Sequence, residues 1–127
     1  MSNNLPCPCC GYLTVEAEPS DFICDVCYWE DLPSESIFPL MHGSANKIPF
    51  LQAQENFLKI GAIEFRFVDS VCSPSQFERD PGWRPFDKNR DIILDHTKDE
   101  NWERIDQAIL NRICRYYWRE DYFLKSV

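Results

Sequence analysis

The sequence predicts a small α+β protein: a cysteine-bearing knuckle over residues 1–31, packed on a mixed α/β body over residues 32–127 that carries a long C-terminal helix. Three observations carry this. Cysteines occur as two C-x-x-C pairs, Cys7/Cys10 and Cys24/Cys27; apolar residues recur at helical spacing near 50–60 and again over about 99–119; and the remaining runs are short, β-branched or aromatic, and broken by prolines. At 127 residues the chain amounts to one domain, long enough to bury a core of its own.

The first element is a pair of tight turns, Cys7-Pro8-Cys9-Cys10-Gly11 and Cys24-Asp25-Val26-Cys27. The runs between them, Tyr12-Leu13-Thr14-Val15 and Asp21-Phe22-Ile23, favour strand, and Pro19-Ser20-Asp21 is a turn signal, so the two runs are expected to pair antiparallel. Residues 32–49 read as irregular, with Pro33, Pro39, Gly43 and Pro49 as punctuation. A helix follows from Phe50: Phe50, Ala53, Phe57 and Leu58 share a face, Pro49 is pre-set for a first turn, and Gly61 suits the C-terminal cap.

Residues 63–71 alternate enough to predict a strand with Phe65 and Phe67 on one face, and residues 73–90 read as a loop. Asp91-Ile92-Ile93-Leu94 reads as a short strand or apolar anchor. The last helix, over 99–119, places Trp102, Ile105, Ile109, Ile113, Tyr116 and Tyr117 on one stripe, with acids early and Arg112, Arg115 and Arg119 late. That charge order complements the helix dipole without any functional role.

Charge narrows the function. The chain carries a formal net charge of −8, and residues 1–64 hold two basic residues against nine acidic ones. Nucleic-acid affinity rests on clustered Lys and Arg that displace counterions, so a phosphate-backbone binder is not expected. An anionic membrane surface is disfavoured for the same reason. No run approaches the ~20 apolar residues of a membrane span, and Met1-Ser2-Asn3-Asn4 lacks the basic and apolar regions of a signal peptide, so the expected location is the cytosol. In that compartment clustered cysteines are more often metal ligands than disulfides.

The spacing C-x2-C-x13-C-x2-C is the strong chemical signal. Two intervening residues let one turn aim both sulfurs at a point, and the returning chain supplies the second pair. Cys7, Cys10, Cys24 and Cys27 are thus expected to form a closed tetrahedral S4 site, which suits structural zinc and leaves no position open for substrate. Four thiolates and one Zn2+ together carry −2, which takes the loaded chain to about −10. Cys9, between two ligands, reads either as a redox-reactive thiol or as a small residue turned away from the metal. Cys72 and Cys114 are isolated, the latter most simply a small buried residue. A thioredoxin-type exchange site needs a C-x-x-C at a helix start in a βαβ unit, which neither pair has.

His42 reads as a loop residue and His96 as a turn or cap residue; Asp95-His96 invites a general-base reading, but no nucleophile is placed beside it. The run Tyr28-Trp29-Glu30-Asp31 is expected to pack its rings over the knuckle and show its carboxylates to solvent, with an acidic contact edge as the functional reading.

The strings CPCCGYLTV at 7–15, CDVCYWED at 24–31, GSAN at 43–46 and QAQENFLKIGA at 52–62 resemble the bacterial cysteine-rich CPCC domain family over about residues 5–62. Two departures are Asp25, where the family usually has Pro, and Pro49, where it has Ser; both suit a turn or a helix start. The resemblance implies a small zinc-binding bacterial protein in a family without a well-established enzyme activity, similar in habit to the acidic proteins encoded beside polymorphic toxins. The leading expectation is an acidic binding protein, most specifically an immunity protein that neutralises a toxin, plausibly a basic nuclease. The alternative is a small enzyme or redox-sensing protein, with its site at Cys9 or in residues 65–127 around Asp95, His96 and Asp80-Pro81-Gly82-Trp83-Arg84. No nucleophile, phosphate loop or paired-carboxylate spacing appears there.

Overall fold

The computed structural model describes residues 4–15, 22–31, 39–43, 45–91 and 116–118. Strands β1 (Leu5–Pro6) and β2 (Leu13–Val15) pair antiparallel across the first C-x-x-C turn, with an irregular register between Leu5 and Pro6. The second turn closes its own hairpin through a bridge between Ile23 and Glu30. This corrects the expected pairing of residues 12–15 with 21–23: each C-x-x-C reverses the chain, so each run pairs locally.

The two knuckles repeat one hydrogen-bond pattern. Cys7 N–H donates to the Tyr12 carbonyl at 2.9 Å and Gly11 N–H to the Cys7 carbonyl at 2.7 Å; in the second, Cys24 N–H donates to Trp29 and Tyr28 N–H to Cys24, both at 2.9 Å. The fifth residue of each turn is left-handed, Gly11 at φ 79° and Tyr28 at φ 76°. Gly takes that conformation freely, whereas a residue with a Cβ is strained by about 1–2 kcal/mol.

Helix α1 (Phe50–Ile60) forms where expected, and buries Phe50, Ala53, Gln54 and Phe57. Pro49 lies just outside the first turn as N-cap, and Gly61, at φ 85°, closes the helix by donating to the Phe57 carbonyl at 2.8 Å. Leu58 is not on the buried face; it is 52% exposed, and Gln54 takes the inner place at 3%. Trp29 and Phe50 meet edge to face at 5.3 Å, joining the second knuckle to α1.

The strand expected over 63–71 is absent: Phe65–Phe67 is a 3-10 turn, and Phe65 is 78% exposed. A lone strand needs a partner for its amides, and here the chain satisfies them locally, Phe67 N–H on the Glu64 carbonyl at 3.0 Å and Ser70 N–H on Phe67 at 2.9 Å. A second 3-10 turn, Pro74–Gln76, interrupts the following loop. The 99–119 helix lies outside the described residues except for Tyr116–Trp118, which form a turn; Ile92–Leu94, Asp95, His96 and Cys114 also lie outside them.

The segment after α1 wraps both knuckles. Ile63 N–H donates to the Cys27 carbonyl at 2.9 Å and Cys72 N–H to Asp25 at 2.7 Å; further on, Leu13 N–H donates to Glu78 and Asp80 N–H to Gly11, both at 2.8 Å. Among the described residues no helix is long and apolar enough to cross a membrane.

Candidate metal centre

The four cysteines singled out by spacing converge. The sulfurs of Cys7, Cys10, Cys24 and Cys27 all lie within 4.8 Å of one another, the pairs Cys7–Cys27 and Cys10–Cys24 at 3.6 Å. A tetrahedron with metal–sulfur bonds of about 2.3 Å has edges of about 3.8 Å, so the donor set fits one tetrahedral ion. All four are free thiols and at most 1% exposed. Four sulfurs without an oxygen or nitrogen donor match zinc or iron, and exclude magnesium and calcium.

Burial pushes the Cys7, Cys10 and Cys27 thiols well above their ordinary pKa. Burial also opposes ionisation of Cys24, but hydrogen bonds from the three other thiols and from Thr14 outweigh it and hold this thiol well below its ordinary value. The Thr14 hydroxyl lies 2.9 Å from the Cys24 sulfur, and the Val26 amide donates to the same sulfur at 3.4 Å. The Trp29 amide serves Cys27 at 3.4 Å. Such bonds fix the sulfurs and favour their charged form.

Three consecutive carbonyls of the first turn are held by side chains from later in the chain. Trp83 Nε1 donates to Pro8 at 3.3 Å, Gln54 Nε2 to Cys9 at 3.1 Å and Arg79 Nε to Cys10 at 2.9 Å. The Arg79 guanidinium is sandwiched 4.4 Å from the Tyr12 ring and 4.3 Å from that of Trp83. Gln54 also donates to the Tyr117 hydroxyl at 2.8 Å and accepts from the Phe86 amide at 2.8 Å. Burial raises the Tyr117 phenol well above its ordinary pKa, so it stays a donor and reaches the Arg84 carbonyl at 2.7 Å.

Thr14, Gln54, Arg79 and Tyr117 were not singled out by the sequence; their one local signal is a polar residue on an apolar face, which Gln54 shows on α1. Cys9 is fully buried and outside the four-sulfur group, while Cys72 is exposed. His42 is exposed in its loop. Asp31, expected at the surface, is instead 1% exposed, whereas Glu30 keeps partial exposure. Of the alternative loop, Asp80 accepts from the Gly82 amide at 3.0 Å and from Trp118 Nε1 at 3.1 Å, and Arg84 makes a bidentate pair with Asp91 at 2.7 Å on each arm. The described part of that loop thus packs against the knuckle and its own neighbours.

Two C-x-x-C hairpins converging on one buried S4 cluster define a cysteine-rich module with a candidate metal site. The chain belongs to the cysteine-rich CPCC family, whose model matches residues 5–78, more than half its length and sixteen residues beyond the quoted motifs. The match takes in both knuckles, α1 and the segment after it as far as Glu78. Comparison with curated proteins and with solved structures gave no match.

Proposed function

We propose that the metal is zinc, held structurally, and that the zinc-stabilised knuckle presents an acidic surface to another protein. The observation that carries the structural part is the closed, buried set of Cys7, Cys10, Cys24 and Cys27, which has no open position for a substrate. Cys7, Cys10, Cys24 and Cys27 would hold the ion as thiolates, and the amides of Val26 and Trp29 with the Thr14 hydroxyl would share their charge. Elemental analysis of the purified protein should give one zinc per chain. An iron-loaded site with its visible charge-transfer colour, or a metal-free chain that is fully folded, would overturn the assignment.

In its most specific form the protein neutralises a basic bacterial toxin, such as a nuclease, from the cytosol. Support comes from the nine acids against two bases in residues 1–64, since complementary charge speeds encounter and rejects wrong partners. Titration with the product of the adjacent gene tests this reading: it expects a complex whose association rate falls with salt. No complex, or association indifferent to salt, would sink it.

A further inference from the structure

A second feature of the knuckle lies outside the metal centre. A cleft of about 120 Å³ opens between the second hairpin and the turn after α1, walled by Ile23, Tyr28, Glu30, Asn46, Ile63 and Phe67. Tyr28 occupies the left-handed position that Gly11 fills without strain in the first knuckle. Its ring is stacked on Phe67 at 4.2 Å and 25°, so the strained residue builds an aromatic wall.

Glu30 supplies the cleft's charge. Its backbone is clamped on both sides by Asn46, whose Oδ1 accepts from the Glu30 amide at 2.7 Å and whose Nδ2 donates to the Glu30 carbonyl at 3.0 Å. The Asn46 amide is thereby engaged with main chain, while the Glu30 carboxylate takes no hydrogen bond or ion pair from any described residue. Arg66, the one cation among the lining residues, is paired with Glu64 at 3.2 and 3.3 Å and lies over the Phe67 ring at 4.4 Å. The rim is apolar at Ile23, which is 42% exposed.

An aromatic and aliphatic channel with a free carboxylate is complementary to a methylene stem ending in a cation. We propose that this cleft receives a lysine side chain from a basic partner protein, its stem against Ile63 and the Tyr28–Phe67 pair and its ammonium on Glu30. Lysine fits better than arginine because its head is compact. The inference rests on the protein-binding reading and gives that reading a contact point.

The test is an amide-shift NMR titration of the zinc-loaded full chain with N-acetyl-lysine methylamide, its neutral norleucine counterpart and its arginine counterpart. The lysine compound is expected to shift Tyr28, Glu30, Ile63 and Phe67 saturably, and norleucine to shift none of them. Glu30→Gln, with zinc content unchanged, should weaken lysine binding about tenfold; Tyr28→Gly, which relieves the backbone, should weaken it too. Absence of saturable shifts, equal binding of norleucine, or tighter binding of the arginine compound overturns the assignment. Partner titration separates the two readings: a partner that binds wild type and Glu30→Gln equally removes the cleft and keeps the partner, whereas lysine binding without any partner does the reverse.

Discussion

A Cβ built on Gly11 would lie 2.3 Å from Cγ of Trp83, so the indole ring occupies the space that any side chain at position 11 would need. Gly11 is thus required twice, once for φ 79° and once for the ring that caps the CPCC turn. Gly11→Ala should cost about 3 kcal/mol, from left-handed strain of about 1–2 kcal/mol and overpacking of a similar size. Trp83→Ala in the same chain should recover the packing part alone. Denaturant unfolding of the two single variants and the double variant reads the coupling directly; additive losses would show that the ring yields.

Thr14 is the one side chain outside the cysteines that hydrogen-bonds to a ligand sulfur, among the described residues. Thr14→Val keeps the shape and removes the hydroxyl, so metal affinity should fall at least tenfold, within the range for loss of an outer-shell partner. Competition against a chromogenic chelator measures it. An unchanged affinity would mean that the contact is incidental.

Cys24→Ser should release the metal, while Cys72→Ser should retain it, because Cys72 is exposed and outside the sulfur cluster. Chelation of the wild type should likewise loosen the knuckles, since removing the ion would take away the link between the two hairpins. Near-ultraviolet dichroism of Trp29 and Tyr28 and metal content report both.

Gln54 joins three partners through one amide group. Gln54→Leu keeps most of the volume but strands the Phe86 amide and the Cys9 carbonyl, at a cost of about 2–3 kcal/mol. Amide exchange at Phe86 should accelerate, and ordinary protection there would contradict the assigned role.

Arg84 and Asp91 give a pH signature. Burial alone would raise the Asp91 carboxyl, but the Arg84 guanidinium and the Asp87 amide outweigh it and hold the pKa below the ordinary value. A native pKa below the unfolded one means stability that is present above about pH 4 and lost as pH falls through the native value. Asp91→Asn should therefore cost about 2 kcal/mol near neutrality, moderated by the partly exposed arginine. The gap to wild type should close on acidification, as denaturant midpoints at several pH values will show.

What could be read from the sequence followed the range of the interactions. The two C-x-x-C pairs and helix α1 each rest on neighbours a few residues apart, so spacing and periodicity revealed them, and the pairs meet in one cluster. Phe65 and Phe67 alternate as strand residues do, yet a strand exists only with a partner, and none is described beside them. The carbonyl contacts from Gln54, Arg79 and Trp83 span 45, 69 and 75 residues, and no local pattern announces a pairing at that distance. Tyr28 was visible as an aromatic, but its left-handed backbone emerges only when the two knuckles are superposed in pattern.

The repeated knuckle also bears on how the metal arrives. Each hairpin closes by its own backbone bonds and presents its own dithiolate, so an ion can be caught by one pair before the other has docked. The second pair would then act as an intramolecular chelate, and the ion would become a crosslink across some fifteen residues of chain. In the chain-entropy account a covalent bridge over such a loop contributes about 3 kcal/mol. Metal exchange should accordingly proceed by half-release, with one hairpin letting go while the other retains the ion, and the rate should follow whichever hairpin opens more readily.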